Sequence, residues 1–275
     1  GKVSELEVKR LLSKANELGI YLIDTAQAYG DAESVLGRNL PVGHNFRIIS
    51  KLPAQSQLAF SNNDIELWEY SFETTCKSLG VKSIDSLLIH SSADLRKIGA
   101  FYLESWLLGL KERGLVRRVG VSIYSAEELK EINPALLDLV QLPLSVFDQR
   151  LLNDGTIQSL YSQGVSIHAR SIFLQGLILT PAQNWPRWAS DQVRSHQQNL
   201  ELVAMQNGCQ LIDLALSFAK SQKELEAVVV GICSLDQLTD LFGAWSRIAS
   251  WEQIAWSPWA INDPKVVDPR FWPPA

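Results

Sequence analysis

Short apolar runs and amphipathic helical stretches alternate along nearly the whole chain, and this alternation limits the fold more than any single motif. Ser4-Glu5-Leu6-Glu7 reads as a capping box, with Val3 and Val8 placed as a hydrophobic staple. Leu11, Leu12, Ala15 and Leu18 follow at helical spacing, and Gly19 closes the helix. Extended segments are expected at Ile20–Asp24, Phe46–Lys51, Ile84–His90, Val116–Ser122, Asp138–Leu142, Val165–Arg170 and Ala227–Gly231. Between them the pattern predicts helices near 31–39, 62–79, 100–113, 154–163, 191–206, 211–222 and 236–249, plus one capped by Ser125 and running to 132. The stretch 172–190, with Pro181, Trp185, Pro186 and Trp188, fits no regular element.

Strands separated by helices imply right-handed crossovers and a parallel sheet. The runs are apolar on both sides, as strands covered on both faces must be. Over 275 residues without a linker or a shift in composition, one (β/α)8 barrel domain spanning 1–275 fits best. A doubly wound open sheet is the alternative, but its G-x-G-x-x-G turn after the first strand is absent. Seven strands are one short of a barrel, so the first strand is expected upstream of this sequence.

Hydrophobic residues make up 46% and charged residues 20%, and net charge is −5. No run of Lys or Arg is longer than a pair such as Arg117-Arg118, which argues against nucleic acid or an anionic membrane as partner. No apolar run approaches the ~20 residues that span a bilayer. Cys76, Cys209 and Cys233 are odd in number and lack metal-ligand spacing. They read as reduced thiols of a cytoplasmic protein, with no metal site expected.

The strand ends carry the chemistry. They close on Asp24, Lys51, His90, Ser122, Gln141, Arg170-Ser171 and Gly231. In a parallel barrel all carboxyl ends open onto one mouth, so an acid, an amine and an imidazole are brought to one rim. Tyr29 lies five residues past Asp24 in a loop of small residues. A phenol is a poor acid at neutral pH, and an adjacent ammonium favours its ionised form. Asp24 is therefore read as holding Lys51, Lys51 as tuning Tyr29, Tyr29 as the proton donor, and His90 as orienting a substrate carbonyl.

"DTAQAYG", "AESVLG", a strand ending in "SK", and "IDSLLIH" together resemble the aldo-keto reductases. "LKERGLVRRVGVS", "LVQLPLSVFDQR", "ARSIFLQG" and "VVVGICSLDQL" follow in the matching order. The resemblance runs from about residue 4 to at least 245, and the tail "DPRFW" is similar to one bacterial branch. It implies a (β/α)8 enzyme that reduces a small aldehyde or ketone with a nicotinamide cofactor, usually NADP, with NAD as the alternative. By resemblance Tyr29, Lys51, Asp24 and His90 are catalytic, and Ser122 and Gln141 hold the nicotinamide carboxamide. Ser171, Leu174 and Gly176 match the pyrophosphate side, Arg170 is a further cofactor-binding position, and Gly231, Ser234 and Gln237 match the adenosine-phosphate loop.

Three positions depart from the family pattern. Ile123 stands where the family has Asn, and Arg170 replaces an aromatic that stacks on the nicotinamide. The segment Ile232–Gln237 contains no cation for a 2′-phosphate, and Arg247 on the next helix is a candidate to supply one. Trp245, Trp251, Trp256 and Trp259 form either a substrate wall or packing over the barrel. Trp185 and Trp188 belong to either a lid or an anchored loop. His44 and His196 read as surface residues, and His168 as a strand residue. Two other functions remain open on sequence: a nicotinamide-binding regulatory protein of the same fold, and a lyase using Lys51 as a Schiff base.

Overall fold

The computed structural model describes residues 3–248 and 254–273. Among them seven strands follow one another in chain order across one sheet. They are β1 (Leu22–Asp24), β2 (Arg47–Leu52), β3 (Ile84–Ile89), β4 (Val116–Ser122), β5 (Leu139–Pro143), β6 (Ser166–Arg170) and β7 (Ala227–Val228). Adjacent strands are parallel from β1 to β5 and again at β6–β7. The helices are α1 (Glu5–Glu17), α2 (Ala32–Asn39), α3 (Asp64–Leu79), α4 (Ala100–Glu112), α5 (Arg150–Asn153), α6 (Thr156–Ser162), α7 (Asp191–Gln206), α8 (Leu211–Ser221), α9 (Leu235–Arg247) and α10 (Pro264–Val267). This is the (β/α)8 barrel pattern with seven of its eight strands.

The chain falls into two compact units. The first comprises 1–141 with 164–166 and 232–238; the second comprises 142–163, 167–231 and 239–275. In the first unit Ile49, Leu88 and Leu139 form a buried cluster, with Leu22 packed against it. Strand residues facing the helices are buried as well, among them Ile48, Leu87 and Val140. α3 shows how sequence sets a helix here. Trp68, Phe72, Thr75 and Leu79 bury one stripe, and Gly80 at φ 70° ends it. Trp68 meets Phe60 edge-on at 5.1 Å.

Close backbone approach explains one glycine inside a strand. A Cβ added to Gly120 on β4 would lie 1.8 Å from the Leu139 carbonyl oxygen on β5. Gly120→Ala is expected to force the two strands apart and to lower stability by at least about 1–3 kcal/mol. A urea unfolding midpoint checks this; an unchanged midpoint would contradict the close approach.

The starts of β2, β3 and β4 form a charged knot. Asp85 accepts from Arg47 Nε at 2.8 Å and from Arg118 Nη2 at 2.8 Å, and Arg117 lies 3.5 Å away. Arg118 also donates to Ser86 and Ser166. The basic pair Arg117-Arg118 is thus bound up in an ion cluster around Asp85. Burial pushes the Asp85 carboxyl up, but hydrogen bonds from Arg47, Ser86 and Arg118 outweigh it and leave the pKa at about 2.

Several expected elements differ. Ser4 caps α1 by accepting from the Glu7 N–H, but the Glu7 carboxylate accepts from the Leu235 N–H, so the box is not closed reciprocally. The helix expected after Ser125 is a short 3-10 turn, Ala126–Leu129, without a Ser125 side-chain cap. The seventh strand is only two residues long, in register with His168 and Ala169 of β6, and flanking N–H groups of Glu226 and Val229 donate to the Ile167 and Ala169 carbonyls. The irregular stretch 172–190 contains two 3-10 turns, Leu174–Leu179 and Ala182–Asn184. Other boundaries shift by one or two residues.

Candidate active site

The four expected catalytic residues meet in the first unit. β1 ends on Asp24, and β2 carries Lys51 one residue before its end. The Lys51 ammonium donates to Asp24 Oδ2 at 2.5 Å and to the Thr25 carbonyl at 2.9 Å. Asp24 Oδ1 accepts from Gln141 Nε2 at 2.8 Å. Both carboxylate oxygens are therefore engaged, one by the amine and one by an amide from β5. Lys51 is 1% exposed, whereas Tyr29 is 49% exposed. The ammonium lies 5.3 Å from the Tyr29 ring centroid, and the His90 ring stands edge-on to Tyr29 at 6.0 Å and 85°. A buried cation thus lies near a half-exposed phenol that has an imidazole at its edge. A buried ion pair is tolerated when further hydrogen bonds satisfy both members; the Thr25 carbonyl and the Gln141 amide supply them here.

Ser122 and Gln141 are opposed in register on β4 and β5, and both are buried. Ile123, which stands where the family pattern has Asn, is fully buried, and its N–H donates to the Gln141 carbonyl.

Sequence reasoning missed a second layer below the tyrosine loop. Glu33 on α2 is buried and accepts from Ser50 Oγ at 2.6 Å and from Thr75 Oγ1 at 3.0 Å. Gln27 donates to the same Thr75 oxygen at 2.9 Å and accepts from Ser71 Oγ at 2.6 Å. Thr75 thereby ties both flanks of the Tyr29 loop to α3. The available signal was a threonine on the otherwise apolar stripe of α3.

The other expected cofactor residues are distributed between the units. Arg170, Ser171, Leu174, Gly176 and Gly231 belong to the second; Ser234 and Gln237 belong to the first. Ser171, Leu174 and Gln175 adopt φ of 63°, 47° and 54°, and Gly176 follows at 89°. Those three are the non-glycine residues with positive φ among the described residues. Such strain concentrates at ligand clamps and is unusual for a leucine. Arg170 Nη1 donates to Ser171 Oγ at 3.4 Å. In the first unit Gln237 Oε1 accepts from the Cys233 N–H at 2.8 Å, and Ser234 Oγ accepts from the Gln237 N–H at 3.2 Å.

Arg247 pairs with Asp213 at 3.1 Å in the second unit. There it also lines a cavity of about 550 Å³ with Leu179, Gln210, Leu211, Ile212 and Asp240; none of the catalytic candidates borders it.

The aromatic residues in question pack. Trp185 is buried and donates to the Thr180 carbonyl, and Arg194 holds the carbonyls of Ala182, Trp185 and Pro186, so this loop is anchored. Trp188 stacks near Trp272 at 5.1 Å. Trp245 lies under Lys220, Trp256 meets Phe218 edge-on, and Trp259 lies against His196. Trp251 falls outside the described residues. His196 is not a free surface group: Nε2 is 2.8 Å from the Trp259 carbonyl oxygen, and the ring also packs on Phe147. His168 is fully buried, with Glu226 at 3.4 Å. Among the described residues no cluster of His, Cys, Asp or Glu is arranged to hold a metal ion, and no helix is long and apolar enough to cross a membrane.

The sequence pattern of the Aldo/keto reductase family matches residues 1–256. The chain belongs to the Aldo/keto reductase family. Members of this family are NAD(P)H-dependent oxidoreductases. The chain is 30% identical over 217 residues to an aldo-keto reductase of Mycolicibacterium vanbaalenii, covering 69% of this chain and 71% of the relative. A match at 33% identity to an aldo-keto reductase of Mycolicibacterium smegmatis spans 48% of this chain and 45% of that protein. L-galactose dehydrogenase of Arabidopsis thaliana is 24% identical over 91% of this chain and 81% of its own length. Among solved structures, the holo form of an aldo-keto reductase from Bacillus halodurans superposes with a TM-score of 0.69 at 20% identity. That match covers 88% of this chain and 83% of the other. A glycerol dehydrogenase from Gluconobacter oxydans gives 0.68 at 20% identity, over 91% and 82% of the two chains. These structural likenesses concern the fold.

Proposed function

We propose that this family member reduces an aldehyde or ketone to an alcohol, with Tyr29 as the proton donor. The observation that carries the reading is the Lys51 ammonium, held at 2.5 Å by Asp24 and lying 5.3 Å from the Tyr29 ring. Family membership supplies the cofactor class, and the residues present fit it. Gln141 directs Nε2 at Asp24, which makes Oε1 the end of the amide suited to accept from a carboxamide N–H. Beside it Ser122 offers a hydroxyl, and the strained segment 171–176 has the character of a phosphate clamp.

The nicotinamide, when bound, supplies hydride to the carbonyl carbon. Tyr29 donates its phenolic proton to the carbonyl oxygen. Lys51 stabilises the negative charge left on the phenol oxygen, and Asp24 holds Lys51 charged and in place. His90 hydrogen-bonds the carbonyl oxygen and orients it. Ser171, Leu174 and Gly176 are proposed pyrophosphate contacts, Arg170 a contact on the nicotinamide side, and Gly231, Ser234 and Gln237 adenosine-side contacts. Residues 1–275 act as one catalytic domain in this reading, in a cytoplasmic setting. Family habit favours NADP, although the loop 232–237 contains neither Lys nor Arg.

Mixing the protein with NADPH or NADH and 4-nitrobenzaldehyde tests the reading through cofactor oxidation. Glyceraldehyde belongs in the same assay, because two of the similar proteins are named for polyhydroxylated compounds. Turnover is expected. Cofactor binding without turnover on any carbonyl would favour a regulatory role instead. Trapping of Lys51 with borohydride and a carbonyl compound would favour a Schiff base. The engagement of its ammonium by both Asp24 and the Thr25 carbonyl speaks against that chemistry.

A further inference from the structure

We infer that the dinucleotide site selects NAD(H) over NADP(H), and that Glu7 is the discriminating residue. The inference rests on the reading above, in which the loop after β7 receives the adenosine half of the cofactor. In barrels of this type phosphates commonly sit on loops after the last strands and at a helix N-terminus there. Such a seat works through unengaged backbone N–H groups and through Lys or Arg.

The segment Ile232–Gln237 is poorly furnished for that role. It contains Asp236 and neither Lys nor Arg. Three of its N–H groups are already engaged. Cys233 donates to Gln237 Oε1 at 2.8 Å, Gln237 donates to Ser234 Oγ at 3.2 Å, and Leu235 donates to Glu7 Oε1 at 2.8 Å. The last is decisive. Glu7, from the first turn of α1, places a carboxylate at the N-terminus of α9, where a 2′-phosphate would otherwise be stabilised.

A ribose with a free 2′-hydroxyl can donate a hydrogen bond to that carboxylate. A 2′-phosphate can only accept, and it brings like charge to the same spot. Arg10 lies 3.9 Å from Glu7 with its side chain 61% exposed. It tempers the Glu7 charge without removing it. Arg247 is paired with Asp213. The expected outcome is NADH binding about tenfold or more tighter than NADPH.

Titration of intrinsic tryptophan fluorescence with NADH and with NADPH measures both affinities on the full chain. Glu7→Gln keeps an acceptor but removes the charge, and should bring the two affinities together by strengthening NADPH. Cys233→Arg should do the same by adding a cation. Three results would overturn the inference: NADPH binding as tightly as NADH to the unmodified protein, an unchanged ratio in Glu7→Gln, or selective loss of NADPH in Arg10→Ala. If neither dinucleotide binds, the cofactor reading itself fails. If both bind equally, only the selection by Glu7 fails.

Discussion

Tyr29→Phe is expected to lower kcat for carbonyl reduction by ~10²–10⁴-fold while leaving dinucleotide affinity within about twofold. The substitution removes one oxygen. The ring keeps its edge-on contact with His90 and its place over the Lys51 ammonium, so the loop has no reason to move. Cofactor affinity depends on groups other than the phenol in the proposed arrangement. An alkaline decline in kcat caused by loss of the donor proton should also disappear in the variant. Steady-state rates across pH, with fluorescence titration of the cofactor, measure both quantities. Equal turnover by the variant would remove Tyr29 from the mechanism, and a parallel loss of cofactor affinity would make it a binding residue.

The largest stability effect is expected at Asp85→Asn, at about 3–5 kcal/mol at neutral pH. Asp85 is 5% exposed and Arg118 is 9% exposed, so the variant leaves a buried guanidinium without its carboxylate. The native carboxyl titrates at about 2 instead of 3.8. A carboxylate whose folded pKa is depressed stabilises above its unfolded pKa and loses that contribution as pH falls through the folded value. The difference corresponds to about 2 kcal/mol, present above about pH 4 and lost towards about pH 2. Urea unfolding of wild type and variant should therefore show a gap that is wide at neutral pH and narrows on acidification. A gap independent of pH would mean that Asp85 acts through packing and not through its charge.

The two predictions draw on features that were unequally visible in the sequence. Asp24, Lys51, His90, Ser122 and Gln141 stand at or beside the carboxyl ends of strands, and those strands read as apolar runs because both faces are covered. Where a strand stops, its last polar residue is conspicuous, so the site could be assembled from one dimension. Asp85 was not visible in this way. Its role depends on the register that sets Arg47, Asp85 and Arg118 beside one another at the opposite ends of three strands, and register is a property of pairing. Ala227–Gly231 read as a full strand from its valines, but its pairing with β6 ends where the Val229 N–H donates to the Ala169 carbonyl. Glu7 looked like half of a capping box. Its carboxylate instead reaches an N–H 228 positions further along the chain, which no local pattern can announce. His196 read as a surface residue, and only the fold brings the Trp259 carbonyl to it.

Thr75 carries a consequence for anyone who would transplant this chemistry. Its one hydroxyl serves Gln27 on one side of the tyrosine loop and Glu33 on the other. A graft of residues 24–33 into a related scaffold would bring the phenol but not the helix that holds its flanks. Such a chimera should fold and still turn over slowly until residue 75 of the donor is carried across with the loop, so the smallest portable unit is discontinuous.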